Sequence, residues 1–357
     1  MEKSALIAMS GGVDSSVAAH LMLKAGYRCI GVNMRLLGDN GPDGLRVGGI
    51  RRDREDAAQA AEALGMPFEA LSYEEDFRRE VIGKFIRVYE EGGTPNPCVD
   101  CNRCLKFSRL LQAAEERGLY YVVTGHYARV EWNGSRFLLK KGLDAGKDQS
   151  YFLYMLTQAQ LAHVQFPLGG LEKRQVRHLA EELGLGNAGK RDSQDICFVP
   201  DGDYAAFLER ARGKTYPAGD FLDLEGRVVG RHRGAVRYTL GQRKGLGLAM
   251  GEPVYVCGKD MARNTVTVGP ESALYSRFVQ VEDMNWISVE ALTTPMRVRV
   301  KIRYSQMEHP ATARPQAGGA LLEFDEPQRA VAPGQAAVLY DGDTVVGGGT
   351  ITAAFRA

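Results

Sequence analysis

The residues in this chain best suited to chemistry are a run of cysteines and one glycine–serine turn. Cys98, Cys101 and Cys104 follow at C-x-x-C-x-x-C spacing within Gly93-Thr94-Pro95-Asn96-Pro97-Cys98-Val99-Asp100-Cys101-Asn102-Arg103-Cys104-Leu105-Lys106-Phe107. Cys197 lies far along the chain in Asp192-Ser193-Gln194-Asp195-Ile196-Cys197-Phe198 and meets Cys101 only through folding. In a large chain of cytosolic character, clustered cysteines point to metal or redox chemistry rather than to a disulfide scaffold. Pro95 and Pro97 hold the chain extended and bar a helix until about Val99. A thiol at the start of the following helix, near Arg103 and Lys106, is expected to have its pKa lowered toward the thiolate. Cys29 and Cys257 sit in β-rich runs and read as buried and inert; Cys104 also admits a reading as a small buried helix residue.

The second feature is Ser10-Gly11-Gly12-Val13-Asp14-Ser15-Ser16, which follows the apolar run Ala5–Met9 and precedes a helical pattern. Glycines let the backbone approach an anion, and a helix N-terminus offers unpaired N–H groups and a favourable dipole. Ser10, Ser15 and Ser16 add hydroxyls. The string G-x-x-x-x-G-K-[ST] is absent, so the lysine that serves γ-phosphate chemistry is missing from the turn. Asp14 points to help with a magnesium ion or to positioning of a pyrophosphate.

Elements that position these residues can be read from the hydrophobic pattern. Strands are expected at Ala5–Met9, Cys29–Met34, Pro67–Leu71 and Tyr120–Thr124. Helices are expected at Ser16–Ala25, at Asp53–Leu64 with Asp53 as N-cap, near Glu75–Glu91 and at Cys104–Arg117. This alternation implies an α/β fold with a parallel sheet and ligands beyond the carboxyl ends of its strands. A tight hairpin is expected at Asn133-Gly134, and helices at Gln149–Leu161, Lys173–Leu183 and Asp203–Ala211. Beyond Cys197 short β-rich runs such as Thr265–Val268, Arg297–Tyr304 and Ala336–Tyr340 dominate. The expected division is a nucleotide-binding domain at 1–213, a small β-rich module at 214–270 and a β-barrel-like domain at 271–357. Segments 36–49 and 186–191 read as mobile loops.

The 357 residues suffice for two or three domains with real cores. Lys plus Arg, 45, nearly balances Asp plus Glu, 44, so a nucleic-acid surface has to be a local patch. The N-terminus reads as a first strand rather than a signal peptide. No apolar run approaches the roughly 18 residues of a membrane span, and a cytoplasmic location without membrane contact is expected.

The turn SGGVDSS is similar to the signature of the N-type ATP pyrophosphatases (the PP-loop superfamily), which cleave ATP between the α and β phosphates. The cysteine segments narrow the choice: the whole set resembles the bacterial tRNA-specific 2-thiouridylases. Supporting runs are Thr124-Gly125-His126-Tyr127, Lys147-Asp148-Gln149-Ser150-Tyr151-Phe152-Leu153, Tyr238-Thr239-Leu240-Gly241-Gln242-Arg243-Lys244-Gly245-Leu246-Gly247 and Arg303-Tyr304. The resemblance implies an adenine nucleotide alpha hydrolase-like domain, ATP as co-substrate, and adenylation of a wobble uridine followed by sulfur transfer. It places Ala8, Met9, Ser10, Gly11, Gly12, Val13, Asp14, Ser15, Met34 and Gly125 at ATP. It makes Cys197 the carrier of a persulfide, received from a sulfur-relay or cysteine desulfurase protein, and Cys101 the nucleophile that attacks it. Asn96, Pro97 and Cys98 would touch the target base; His126, Lys147, Asp148, Gln149, Arg303, Tyr304 and Gln335 would contact the tRNA.

One departure stands out. The better-known form of the family has D-x-x-C where this chain has Cys98-x-x-Cys101. Cys98, Cys101 and Cys197 therefore offer three thiolates, enough for a 4Fe–4S cluster with an open iron, beside the thiol relay; zinc is a third reading, without the distant C-x-x-C of a zinc ribbon. Independently, Arg297-Val298-Arg299-Val300-Lys301-Ile302-Arg303-Tyr304 alternates cation and apolar residue. As a strand it sets four cations on one face over roughly 20 Å, suited to an RNA backbone, or else to a plain solvated face. Two further functions compete: another AMP-forming ligase of the superfamily acting on a small substrate, and an iron–sulfur RNA-binding protein without turnover.

Overall fold

The apolar run SALIA forms β1 (Ser4–Ala8), with Ala5, Leu6 and Ile7 fully buried. A strand apolar on both faces needs cover on both, and β1 lies at the centre of a five-stranded sheet. The structure, a computed structural model, describes residues 3–38, 50–186 and 196–356. In parallel, β1 pairs on one side with β2 (Arg28–Arg35), which pairs with β3 (Phe68–Ser72), and on the other with β4 (Tyr121–Val123). The strand order therefore reverses at β1, the place where an open α/β sheet takes its ligand.

Helices cover both faces. α1 (Val13–Lys24) and α2 (Ile50–Ala63) bury Val17, Ala18, Met22, Ala57 and Ala61 against one face. α3 (74–90) and α4 (97–106) follow, each with a wider π-type turn, at Phe77–Ile82 and Asn102–Lys106. α5 (Arg109–Glu116) packs Leu110, Ala113 and Ala114 on the opposite face, against Leu6, Val32 and Val122. The hairpin expected at Asn133-Gly134 joins β5 (Ala128–Trp132) to β6 (Phe137–Lys141). β7 (Val164–Gln165) completes the parallel sheet beside β4, and α6 (Lys173–Glu182) joins the core of α1 through Val176 and Ala180.

After α7 (Tyr204–Arg212) come β8 (Gly219–Leu222), β9 (Val228–His232), β10 (Tyr255–Asp260) and β11 (Thr265–Gly269), in the order β10-β11-β8-β9. The last strands are β12 (Tyr275–Trp286), β13 (Met296–Lys301), β14 (His309–Gln316), β15 (Gly319–Arg329), β16 (Ala336–Asp341) and β17 (Thr344–Phe355). They pair in the order β12-β15-β14-β13-β16-β17, and β17 returns to β12, closing a barrel and leaving no edge among the six.

Several elements depart from the sequence reading. The hairpin β5–β6 extends the barrel's sheet, with Lys140 opposite Thr344. α2 begins at Ile50, so Asp53 lies in its first turn rather than at its cap. α4 begins at Pro97, because proline at the first helical position forfeits only an N–H that would be unpaired anyway. The helix expected over Gln149–Leu161 is a 3-10 turn at Ser150–Phe152 and a separate helical turn at Gln158–Leu161, opened by a capping box between Thr157 and Gln160. Tertiary anchoring overrides local propensity between them: the Tyr151 hydroxyl donates to the Ala336 carbonyl at 3.0 Å, and Tyr154 is buried against the barrel. The loop segment 36–49 lies outside the described residues apart from 36–38, as does 186–191 apart from Gly186. Among the described residues no helix is long and apolar enough to cross a membrane.

Asn285 on β12 ties the barrel to this segment, its amide donating to the carbonyls of Tyr154 at 2.7 Å and Leu156 at 3.0 Å. Asn285→Ala strands both acceptors and is expected to lower stability by about 1–3 kcal/mol, read from the urea unfolding midpoint. An unchanged midpoint would show that the docking is carried elsewhere.

Candidate active site

β1 ends in the glycine–serine turn, whose shape explains its composition. Gly11 has φ +76°, and a Cβ there would come 2.1 Å from the Asp53 carbonyl oxygen, so glycine is required on both counts. The hydroxyls brace the turn: Ser15 donates to the Gly12 carbonyl at 3.0 Å and accepts from the Ser10 N–H at 3.2 Å, and Ser16 donates to the same carbonyl at 3.2 Å. Met9 is buried and its carbonyl accepts from the Asn33 amide at 2.8 Å. Met34 lies near the end of β2, and Gly125, just beyond β4, presses on the turn: a Cβ there would stand 2.9 Å from the Ser15 nitrogen. The carboxyl ends of β1, β2 and β4 thus gather Ala8–Ser15, Met34 and Gly125 around the start of α1, the kind of place where unpaired N–H groups and the helix dipole favour an anion.

Asp14, in the first turn of α1, is not open to solvent chemistry alone. Its carboxylate accepts from the Tyr127 hydroxyl at 2.9 Å and from the Lys173 ammonium at 2.7 and 2.8 Å. Lys173 lies 159 residues along the chain and is 7% exposed. A lysine therefore does stand at the turn, supplied from α6. The sequence held one clue, a cation in the first turn of a helix, where the dipole disfavours it.

The thiols are brought together by aromatic packing. Phe198, next to Cys197, is wedged among Phe77, Phe85 and Phe207 at centroid distances of 5.7, 5.0 and 5.3 Å. The same core contains Cys101 and Leu105 of α4, with Cys104 and Ile196 at its border. Cys197 consequently feels the charges of Cys101, Cys98 and Lys106. All six cysteines are free thiols.

The expected lowering of the thiol pKa does not occur. Burial pushes Cys101 up to about 11 and Cys197 up to about 12, and it raises Cys98 as well. Lys106 opposes the shift at all three, yet desolvation of the thiolate is the larger effect. Cys98 and Cys197 are accessible as residues, but enough protein surrounds each sulfur for burial to prevail. Arg103 does not help, since its guanidinium turns to Asp283 on β12 at 2.5 Å. On the same helix Asp100, 5% exposed, pairs with Lys84 of α3 at 2.6 Å; burial nevertheless raises its carboxyl.

The anticipated metal set is not preformed. Among the described residues no group of three or more His, Cys, Asp or Glu is arranged to hold a metal ion. The thiols of Cys98, Cys101 and Cys197 interact without forming a ready ligand set among the described residues.

The residues expected at RNA are placed as follows. Asn96, Pro97 and Cys98 open α4. His126 sits between Phe107 and Phe166, each at 5.9 Å, with Nδ1 2.6 Å from the Thr124 hydroxyl; burial, then Lys106, hold its pKa well below the ordinary value, so the ring is neutral. This contact joins the end of α4 to the loop that carries Gly125. Asp148 is buried and accepts from the N–H groups of Gly142 and Ser150 and from the Ser150 hydroxyl. Gln149 accepts from the Tyr127 N–H at 3.0 Å, and the Lys147 N–H bonds the Asp144 carbonyl. Tyr304 leans on Phe152 at 4.4 Å and is 38% exposed. Arg303 donates to the Ala330 carbonyl, and Gln335 donates to the carbonyls of Thr94 at 3.1 Å and Pro95 at 3.2 Å.

Three known families match consecutive stretches: one described as tRNA methyl transferase HUP domain at residues 3–201, one as tRNA methyl transferase PRC-barrel domain at 205–270, and one as aminomethyltransferase beta-barrel domain at 276–351. The "tRNA-specific 2-thiouridylase MnmA" of Heliobacterium modesticaldum is 48% identical over 98% of this chain and 93% of its own length. The protein of that name from Moorella thermoacetica is 50% identical over 97% and 98%. Among solved structures, an NMN synthetase from Francisella tularensis superposes with a TM-score of 0.34 at 18% identity, covering 60% of this chain and 79% of that one.

A thiol with its pKa raised to about 11 is protonated at neutral pH, and its thiolate grows as pH rises. Iodoacetamide labelling of Cys101, followed peptide by peptide in the nucleotide-free protein, should therefore accelerate about tenfold per pH unit from 7 to 10. A plateau below pH 9 would show that Lys106 outweighs burial.

Proposed function

This chain belongs to the tRNA-specific 2-thiouridylase family, and we propose that it adenylates C2 of the wobble uridine of tRNA and replaces the oxygen with sulfur. One observation carries the reading: two segments distant in sequence meet in one core, Cys101 packing there with Ile196 and Phe198, the residues on either side of Cys197, and Lys106 favours the thiolate of both cysteines. The Phe107–His126–Gly125 contacts connect them to a phosphate-binding turn. An AMP-forming ligase acting on a small amine needs no such thiols, and an RNA-binding protein without turnover needs no such turn.

The steps balance as follows. The uridine O2 attacks the α-phosphorus of ATP, seated on the turn 10–16; the bond to the β-phosphate oxygen breaks, pyrophosphate leaves, and the N3 proton is released to solvent. A carbonyl oxygen is a poor leaving group and AMP a good one. Cys197 carries a persulfide received from a sulfur-relay or cysteine desulfurase protein. Cys101, once deprotonated next to Lys106, attacks the inner sulfur; a Cys101–Cys197 disulfide forms and hydrosulfide departs. Hydrosulfide adds to C2, the C2–O bond breaks, AMP leaves, and the sulfhydryl proton passes to N3 to give 2-thiouridine. An external thiol reduces the disulfide before the next cycle. Asn96 and Cys98, at the head of α4, flank the extruded base, while the cations of β13 and Lys147 meet the RNA backbone.

Cys101→Ser and Cys197→Ser should each abolish 2-thiouridine, measured by mass spectrometry of tRNA nucleosides, while tRNA-dependent release of pyrophosphate persists. Thiolation retained in either variant contradicts the roles assigned, and ADP as product contradicts adenylation. Iron and acid-labile sulfide assays on anaerobically purified protein discriminate the relay from a cluster on Cys98, Cys101 and Cys197: thiolation by iron-free protein supports the relay.

A further inference from the structure

We propose that the turn 239–244 of the four-stranded module is a contact for the phosphate backbone of tRNA, Arg243 and Lys244 acting with Arg303 and Arg329 of the barrel as one cationic cluster across the boundary between the two. The proposal rests on tRNA being the substrate, as read above, and gives the module a part in holding it.

The run 238–247 is anchored at both ends, since Tyr238 and Leu246 are buried in the module's core with Phe221 and Val256. Between these anchors the Gln242 side chain holds the turn from two sides. It accepts from the Thr239 N–H at 3.0 Å and donates to the Lys244 carbonyl at 3.0 Å. The backbone is tied to β10 as well: the Gly241 N–H donates to the Val256 carbonyl at 2.8 Å, and the Val256 N–H donates to the Gln242 carbonyl at 2.9 Å. Arg243 and Lys244 are what this frame presents. Both are exposed, and among the described residues neither side chain has a hydrogen bond or an ion pair.

The same turn rests on the barrel. Gly241 has φ +83°, and a Cβ there would come 2.7 Å from the Ala330 Cβ and 3.6 Å from an Arg329 guanidinium nitrogen, so glycine admits the contact where a side chain would not. Arg303 donates to the carbonyl of Ala330, the residue after Arg329, and the two like charges repel: burial, then Arg329, lowers the Arg303 pKa. Among the described residues Arg329 alone of these four cations has a carboxylate partner, Glu271 at 2.8 Å. A chain whose basic and acidic residues nearly balance, 45 against 44, thus gathers four cations around one carboxylate where two parts of the fold meet. Like charges held together cost stability until an anion arrives. A nucleic-acid backbone answers several of them at once and releases its condensed counterions in doing so. The neighbouring Tyr304 leans on Phe152 and stays 38% exposed, a face for a base or ribose that an acidic protein does not need.

The test measures binding of unmodified tRNA to the full chain, without ATP or a sulfur source, across about 50–200 mM salt. It compares wild type, the double variant Arg243→Ala/Lys244→Ala, the charge-keeping exchange Arg243→Lys/Lys244→Arg, and Arg263→Ala, which removes an exposed cation of the same module that pairs with Asp260. Losing two phosphate contacts should flatten the slope of log affinity against log salt by about 1.4–1.8, at about 0.7–0.9 per charge, and weaken binding about tenfold or more at the lower salt. The charge-keeping exchange should retain the wild-type slope, and Arg263→Ala should change neither slope nor affinity. A wild-type slope in the double variant, or the same flattening in Arg263→Ala, overturns the proposal. So does unchanged tRNA binding with slower sulfur delivery from a cysteine desulfurase, which assigns the cluster to an acidic protein. Wild-type protein that binds tRNA but makes no 2-thiouridine when given ATP and sulfide sinks the thiolation reading instead, and the slopes still decide on the turn.

Discussion

The turn that precedes the cysteine helix makes its bonds with the barrel. The Thr94 N–H donates to the Pro333 carbonyl at 2.8 Å, and the Gln335 amide gathers the carbonyls of Thr94 and Pro95. Backbone polar groups in a part-buried turn need partners, and here residues 333–335 supply them. The position of α4, and with it of Cys98 and Cys101, is therefore set jointly by α3, through Lys84 and Asp100, and by the barrel, through this turn and the Arg103–Asp283 pair. A force applied at the barrel surface reaches the thiols through a few hydrogen bonds rather than through a flexible linker. These bonds tie the barrel directly to the helix that carries Cys98 and Cys101.

Burial of the thiols follows from the same packing. Bringing Cys197 to Cys101 requires Phe198 to enter the core of Phe77, Phe85 and Phe207, and the apolar mass that fixes the two sulfurs also desolvates them. Lys106 offsets only part of that cost. The resting site consequently holds protonated thiols, which oxidise and alkylate slowly because the thiolate is the reactive form. In the proposed relay a persulfide, more acidic than a thiol, would favour the anion that the bare protein suppresses.

Much of this was legible in the sequence because it is written locally. The buried run at 5–9, the SGGVDSS turn and the hairpin at Asn133-Gly134 each depend on neighbours a few residues away, and each is found where the pattern puts it. The alternation of β13 holds only to Lys301, where the strand ends, so Arg303 leaves the expected row of four cations and bonds the Ala330 carbonyl instead. Three features were not legible. The direction of the Cys101 shift depends on how tightly Phe198 packs from another segment. The pairing of Asp14 with Lys173 spans 159 residues, and only the odd placement of a cation at a helix start hinted at it. The attachment of β5–β6 to the barrel is a single strand edge choosing its partner, Lys140 beside Thr344, a choice that hydrophobic alternation leaves open.

The basic strand shows how a correct local reading still needs the fold. Val298 and Val300 face the core and Arg297, Arg299 and Lys301 face outward, as period two requires. Yet Arg297 is bound to Asp325 at 2.8 and 2.7 Å, Arg299 reaches the Glu308 carbonyl at 2.8 Å, and Lys301 lies over the Tyr304 ring at 5.9 Å. Exposed pairs of this kind contribute about 0–1 kcal/mol, less than a phosphate offers when its condensed counterions are released. The acidic partners therefore hold the cations in order without holding them back. If this strand meets RNA as proposed, each contact would have to displace a carboxylate or an aromatic ring first, so a polyanion that matches the spacing of several cations at once would gain where a scattered one would not.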